Sequence, residues 1–151
     1  MGGLKIRAAA VVAAVAVVGL IAAAPGGAWS TNPTQGCTPG YWKNHTDAWV
    51  TYTPTQTVDS VFTGADPSLG SATLLDALNF QGGPDLVGKE EILLRAAVAG
   101  LLNTTSGIDY GVSSKGIITA VNKRFAEGDP NKIINLATKI DTRNNLTCPL
   151  S

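Results

Sequence analysis

Residues that bind metals and act in catalysis are scarce in this chain, which has one histidine and two cysteines. His-x-x-x-His and Cys-x-x-Cys zinc motifs do not occur, and the acidic residues lack the regular spacing of a calcium loop. The glycine patterns of phosphate-binding loops are missing as well. We therefore expect no metal and no cofactor. A Ser-His-Asp arrangement would have to use His45, which no Gly-x-Ser-x-Gly motif accompanies.

Charged residues are also few, at 15 % of the chain, with 11 basic and 11 acidic side chains. Nucleic-acid-binding proteins normally concentrate lysine and arginine in a basic stripe, and proteins held on anionic lipid carry a polybasic segment. Neither pattern is visible along the sequence. We therefore expect no nucleic-acid partner and no electrostatic attachment to a membrane.

The first 28 residues have the pattern of a secretory signal peptide. Lys5 and Arg7 precede an apolar run over residues 8–24, and small residues up to Ala28 provide a cleavage site. Cleavage there leaves residues 29–151 as one secreted domain with nine basic and eleven acidic side chains and no stable membrane span. The alternative is a retained N-terminal anchor with the domain outside. The apolar run is just long enough for a membrane span, at the lower length limit. The Ala/Val/Gly-rich leader is typical of a high-GC bacterium.

The two cysteines, Cys37 and Cys148, can form only one intramolecular disulfide in an exported chain. Closing so long a loop stabilises a domain by roughly 4–5 kcal/mol in the chain-entropy model. A reactive Cys37 thiolate assisted by His45 is the alternative, and it requires that Cys37 stay reduced.

Helical periodicity runs through most of residues 29–151, and no alternating apolar pattern is long enough for a sheet. We predict an all-α fold, a small irregular bundle of four to five helices whose N- and C-terminal ends are joined by the disulfide. Residues 29–36 are predicted to form an exposed leader. Helical segments are predicted over residues 40–49 behind a Thr38–Pro39 cap, 57–62, 72–80 capped by Ser71, 85–103 as the buried centre, 115–127 ended by Gly128, and from Pro130 onward. A Glu91–Arg95 ion pair is expected on the central helix.

The segment over residues 36–49 holds most of the candidate binding residues. Helical spacing would place Trp42, His45 and Trp49 on one face, with Tyr41 beside His45. Tyr41, Trp42 and Trp49 then form a platform for sugar rings or a hydrophobic partner, with Asn44 and His45 as polar contacts. In the alternative interpretation both tryptophans are core anchors, and the two polar side chains satisfy nearby loop ends.

Three stretches resemble a group of microbial secreted proteins that share a CTPGYWKNH-type signature. They are CTPGYWKNHTDAW at residues 37–49, LLRAAVAGLLN at 93–103 and NNLTCPL at 144–150. The resemblance implies an extracellular helical domain, found alone or attached to cell-surface proteins. It implies no activity, cofactor or catalytic residue.

Together these features favour an exported, non-enzymatic interaction or structural module at the cell surface, with a protein or a glycan as partner. A carbohydrate-binding module that uses Tyr41, Trp42 and Trp49 is the first alternative, and a hydrolase that uses His45 is the second. Asn-x-Thr glycosylation sequons occur at Asn44, Asn103 and Asn145.

Overall fold

The computed structural model describes residues 28–151, so the predicted signal peptide lies outside the described residues except for its last position. The described part is helical and contains no strand. It has six α-helices, one or two more than expected, and two short 3-10 helices over Thr46–Ala48 and Val58–Ser60. The α-helices are α1 (Pro39–Asn44), α2 (Pro67–Gly70), α3 (Leu74–Ala77), α4 (Leu86–Thr105), α5 (Ser114–Glu127) and α6 (Pro130–Asn144).

Helix α4 is the centre of the bundle, as its apolar sequence predicts. It packs most extensively against α6 and next against α5. Its side chains are buried on most sides of the helix, with fully enclosed residues that include Leu93, Leu94, Ala97, Val98 and Leu101. Removing this apolar surface from water is the main contribution to the stability of the fold.

The predicted starts and stops of the long helices are confirmed to within about two residues. The Asp85 carboxylate accepts the Gly88 N–H at the start of α4. Gly128 ends α5 in the left-handed conformation, with φ of 60°. Asp129 and Pro130 then start α6, where the Asp129 carboxylate accepts N–H groups of the first turn.

The helix predicted over residues 72–80 begins later and is shorter. Thr73, rather than Ser71, is its N-cap, because Thr73 and Asp76 accept each other's backbone N–H groups in a capping box. The sequence pattern also missed α2, which Asp66 caps by accepting the Ser68 N–H.

The Glu91–Arg95 ion pair is not formed. Arg95 instead donates from Nη1 to the Phe80 carbonyl oxygen at 2.7 Å, and Glu91 Oε2 accepts the Gly82 N–H at 2.9 Å. Each charge satisfies a backbone group of the turn before α4, so the two side chains fasten that turn to the helix.

Residues 29–36 lie against the bundle, so the prediction of an exposed leader is correct only for Ser30, Thr31, Asn32 and Thr34, which are exposed. Ser30 donates its N–H to the Gly111 carbonyl at 2.7 Å, and Arg143 Nη2 donates to the Ser30 carbonyl at 2.6 Å. Gly36 is buried at a point where a Cβ would overlap the Arg143 carbonyl. The segment therefore belongs to the folded domain.

Within residues 28–151, none of the helices has both the length and the apolar character needed to cross a bilayer.

Candidate functional site

Cys37 and Cys148 are joined by a disulfide across a sequence separation of 111 residues. The bond connects the segment before α1 to the segment after α6, and Cys37 is fully buried. The predicted pairing is confirmed. The alternative of a reactive Cys37 thiolate is wrong for this structure, because the sulfur is already oxidised and enclosed.

Helix α1 ends at Asn44, so the continuous helix predicted over residues 40–49 is wrong. Thr38 caps its start by accepting the Tyr41 N–H, as predicted. At the other end, Asn44 Nδ2 donates to the Gly40 carbonyl at 2.9 Å, and His45 Nδ1 donates to the Tyr41 carbonyl at 2.8 Å. The His45 side chain bonds to the Tyr41 carbonyl, which the His45 N–H would use in a longer helix, and His45 leaves the helical conformation with φ of −128° and ψ of 56°.

The break in the helix separates the aromatic residues that were expected to share one face. Trp42 is only 1 % exposed, and its Nε1–H donates to Asn103 Oδ1 at 3.0 Å. Trp49 is half-buried, and its Nε1–H donates to the Trp42 carbonyl at 3.0 Å. A platform of three exposed aromatic rings therefore does not exist. Both tryptophans anchor the segment, as the alternative interpretation proposed.

What remains at the surface is a stacked pair formed by Tyr41 and His45. Their ring centroids lie 4.1 Å apart, with 15° between the planes. Tyr41 is half-buried and donates its hydroxyl to the Leu150 carbonyl at 3.0 Å, while His45 and Asn44 are exposed. Because the Tyr41 carbonyl can only accept, the His45 proton lies on Nδ1, and Nε2 of the neutral ring is left as an acceptor. We call these three residues the Tyr41–His45 surface.

A buried amide holds this surface against the bundle, and the sequence analysis did not identify it. Asn103, on α4, is fully buried. Its Oδ1 accepts the Cys37 N–H at 2.9 Å and the Trp42 Nε1–H at 3.0 Å. Its Nδ2 donates to the Cys37 carbonyl at 2.9 Å and to Asn144 Oδ1 at 3.0 Å. In the sequence, the only indication of this buried amide was the position of a polar residue directly after the largely apolar stretch LLRAAVAGLL at residues 93–102.

Asn144 extends the same network into α6. It is fully buried, donates to the Ala96 carbonyl at 2.9 Å and accepts the Tyr110 hydroxyl at 2.7 Å. Burial raises the pKa of Tyr110, so the phenol stays a neutral donor. Because Asn103 is enclosed, its sequon is inaccessible in the folded chain, whereas Asn44 and Asn145 are exposed.

The surroundings of His45 differ from those of a catalytic base. Its Nδ1 partner is a backbone carbonyl, and no serine or carboxylate side chain of residues 28–151 is hydrogen-bonded to it. The same residues contain no group of three or more His, Cys, Asp or Glu side chains arranged to hold a metal. Among the described residues the geometry offers a rigid surface for contact, with the Tyr41–His45 stack and a His45 Nε2 that has no hydrogen-bond partner there.

A scan against protein-family models, a search of curated proteins and a search of solved structures each give no match for this chain. Functional inference therefore depends on the residues and the geometry described above.

Proposed function

We propose that this protein is an exported, non-enzymatic interaction module of the extracellular or cell-surface space, and that it contacts its partner through the Tyr41–His45 surface. The observation that supports this most is the position of the surface. The half-buried Tyr41 and the exposed His45 follow Cys37 and flank Trp42, which are fixed by the disulfide and by the buried Asn103 amide.

The disulfide supports export, because such bonds persist in oxidising compartments and are rare in the cytosol. The pattern of a cleaved signal peptide over residues 1–28 points the same way. The retained N-terminal anchor stays the alternative, and it would place the same domain outside the membrane.

Rigidity favours a binding role. The Tyr41 ring is held by its hydroxyl bond to Leu150 and by the edge of Trp42, whose ring centroid is 5.1 Å away. The His45 ring is held by its stack on Tyr41 and by its Nδ1 hydrogen bond. A partner that binds a preorganised surface loses less side-chain entropy, so more of the contact energy appears as affinity.

Carbohydrate binding is the second candidate for the same surface, now without Trp42. His45 is the more exposed ring of the stack, so its flat face and its Nε2 acceptor are available to a sugar ring and a hydroxyl group. The hydrolase alternative would use His45 as a base without the orienting carboxylate of a triad.

The test compares the secreted, processed protein with His45→Ala, using Lys43→Ala as a control on an exposed neighbour of the same helix. Binding to cell envelopes of the producing organism is measured together with a glycan array. We expect His45→Ala to weaken envelope binding at least tenfold and Lys43→Ala to change it less than twofold. Equal binding by all three proteins would refute the proposed surface.

The array and one activity measurement separate the alternatives. Array binding that His45→Ala abolishes favours the carbohydrate-binding module, and a blank array with retained envelope binding favours a protein partner. Release of soluble sugar or peptide from envelopes, abolished in His45→Ala, would show a hydrolase and would overturn the non-enzymatic proposal.

A further inference from the structure

A second surface lies between α5 and α6, where a groove of about 320 Å³ opens to solvent. Arg124 contributes to it from α5, and Lys132, Asn135 and Lys139 contribute from α6. Trp29 lies in the same groove. Its size is near the lower end of ordinary small-ligand pockets, about 300–1,000 Å³.

The groove has more positive than negative charge. Arg124 Nη1 lies 2.7 Å from Glu127 Oε2, and Lys132 Nζ lies 3.5 Å from the same oxygen. Glu127 is therefore shared between these two groove cations and Lys123, whose Nζ lies 4.0 Å from its Oε1. Lys139 Nζ has no carboxylate of the described residues within 4.0 Å. The groove is therefore lined by three cations, of which Arg124 and Lys132 share one carboxylate, so a net positive charge is available to a ligand.

Lys139 is held in place although it lacks an anionic partner. Its Nζ lies 4.3 Å from the centroid of the Trp29 ring, a cation–π contact that restricts the side chain. Lys132, Asn135 and Lys139 follow one another at steps of three and four residues, so they lie along one face of α6. The groove thus presents a row of hydrogen-bond donors on a rigid helix.

The lining indicates the chemistry of the ligand. Its polar groups are donors, which suits a ligand rich in acceptor oxygens. Only Ala120 and Leu136 contribute aliphatic surface, too little for the apolar anchors of an amphipathic peptide. Both walls are helices whose backbone groups are already paired, so strand addition is excluded. The net charge of the whole chain is zero, so the three groove cations are balanced by acidic residues elsewhere, and this balance argues against a nucleic acid.

We propose that this groove binds an anionic sugar residue of an acidic polysaccharide, with Lys132, Lys139 and Arg124 contacting the anionic group and Asn135 a hydroxyl. The proposal names a partner for the interaction module but uses a different surface from the Tyr41–His45 pair. It rests on the proposed function only in assuming that the protein meets the polysaccharide outside the cell.

Affinity electrophoresis of the secreted, processed protein tests the proposal. Native gels contain polygalacturonate, dextran sulfate, neutral dextran or polyglutamate, and each mobility is compared with a gel that has no polymer. The test variant is Lys132→Gln with Lys139→Gln. The matched control is Lys43→Gln with Lys115→Gln, which removes the same charge from exposed positions outside the groove. Thermal unfolding of both variants checks that the fold is kept.

We expect polygalacturonate, dextran sulfate or both to retard the protein. Stronger retardation by polygalacturonate would identify the preferred anion as a carboxylate, and stronger retardation by dextran sulfate would identify it as a sulfate. The groove variant should lower that association constant at least tenfold, and the control less than twofold. Added salt should weaken binding, because exposed charges are screened. Absence of retardation by both acidic polysaccharides, equal retardation by neutral dextran, or equal loss in the control would overturn the proposal. Retardation by polyglutamate as strong as by either polysaccharide would indicate an acidic peptide instead, and would also overturn it.

The two surfaces can fail separately. If His45→Ala leaves envelope binding unchanged while the groove variant loses polysaccharide binding, the Tyr41–His45 surface is refuted and the groove stands. The reverse result refutes the groove alone.

Discussion

Replacing Asn103 with leucine tests whether the buried amide holds Cys37 and Trp42 in place. Leucine has the same number and branching of side-chain heavy atoms, with a somewhat larger volume, but neither donates nor accepts a hydrogen bond. Asn103→Leu would leave the Cys37 N–H, the Cys37 carbonyl and the Trp42 Nε1–H without their buried partner. Both residues are at most 1 % exposed, so water does not reach these groups in the native fold. Asn144 Oδ1 would still accept the Tyr110 hydroxyl.

The size of the effect follows from those three groups. A buried polar group left unsatisfied costs about 1–3 kcal/mol, so the three together set an upper range of about 3–9 kcal/mol. Local relaxation and water entry reduce the penalty, and we expect a loss of about 3–6 kcal/mol from the free energy of unfolding. That is a large part of the about 5–15 kcal/mol by which an ordinary domain is stable.

Urea unfolding under non-reducing conditions, followed by tryptophan fluorescence, measures this loss. Trp42 should emit at longer wavelength in Asn103→Leu even before unfolding, because its indole loses its partner and gains contact with water. Asn44→Ala is the control, since it removes a single exposed hydrogen bond, and it should cost less than about 1 kcal/mol. A loss below about 1 kcal/mol for Asn103→Leu would refute the role given to this amide.

Two further predictions concern a buried acid and a close backbone contact. Burial raises the pKa of Glu90 above 4.5, so the folded state binds its proton more tightly than the unfolded state and loses stability as the pH rises through that raised pKa. Glu90→Gln keeps an acceptor for the Asp66 N–H and should gain stability relative to the parent between pH 4 and pH 7 in urea titrations, whereas a constant difference across that range would contradict the assignment. Gly36→Ala should destabilise the fold by about 1–3 kcal/mol because its Cβ meets the Arg143 carbonyl, while Gly40→Ala, whose Cβ has space, should not destabilise it in the same thermal unfolding assay.

Much of the bundle could be predicted from local sequence signals. Helix ends are set by residues that act on neighbouring backbone groups, here Asp85, Gly128 and the Asp129–Pro130 pair. A few consecutive residues are therefore enough to predict them. The disulfide was predictable because only two cysteines are present. The central position of α4 followed from its apolar residues, which lie almost all the way round the helix, since such a helix is usually enclosed.

The errors arose where side chains found partners that the sequence pattern does not show. The His45 side chain bonded to the Tyr41 carbonyl, which a longer α1 would have paired with the His45 N–H, and the end of the helix at Asn44 separated the aromatic residues. Glu91 and Arg95 bonded to the backbone of a preceding turn rather than to each other. The Asn103 network joins residues far apart in sequence, so periodicity could not reveal it.

The basic groove was missed for a related reason. The composition is nearly neutral, and its lysines and arginines are spread along the chain. Only the packing of α5 beside α6 brings Arg124, Lys132 and Lys139 together in one groove. A net charge of zero shows that the protein is not strongly basic overall, but it is compatible with a local cluster of cations that could bind an anion.

The central claim is that one sulfur bridge closes the helical bundle of an exported chain. Mass spectrometry of a non-reduced protease digest of the secreted protein tests it most directly. We predict one cross-linked pair of peptides containing Cys37 and Cys148, which separates on reduction, and no alkylation of either cysteine before reduction. Two alkylated cysteines in the unreduced, freshly purified protein would contradict the claim.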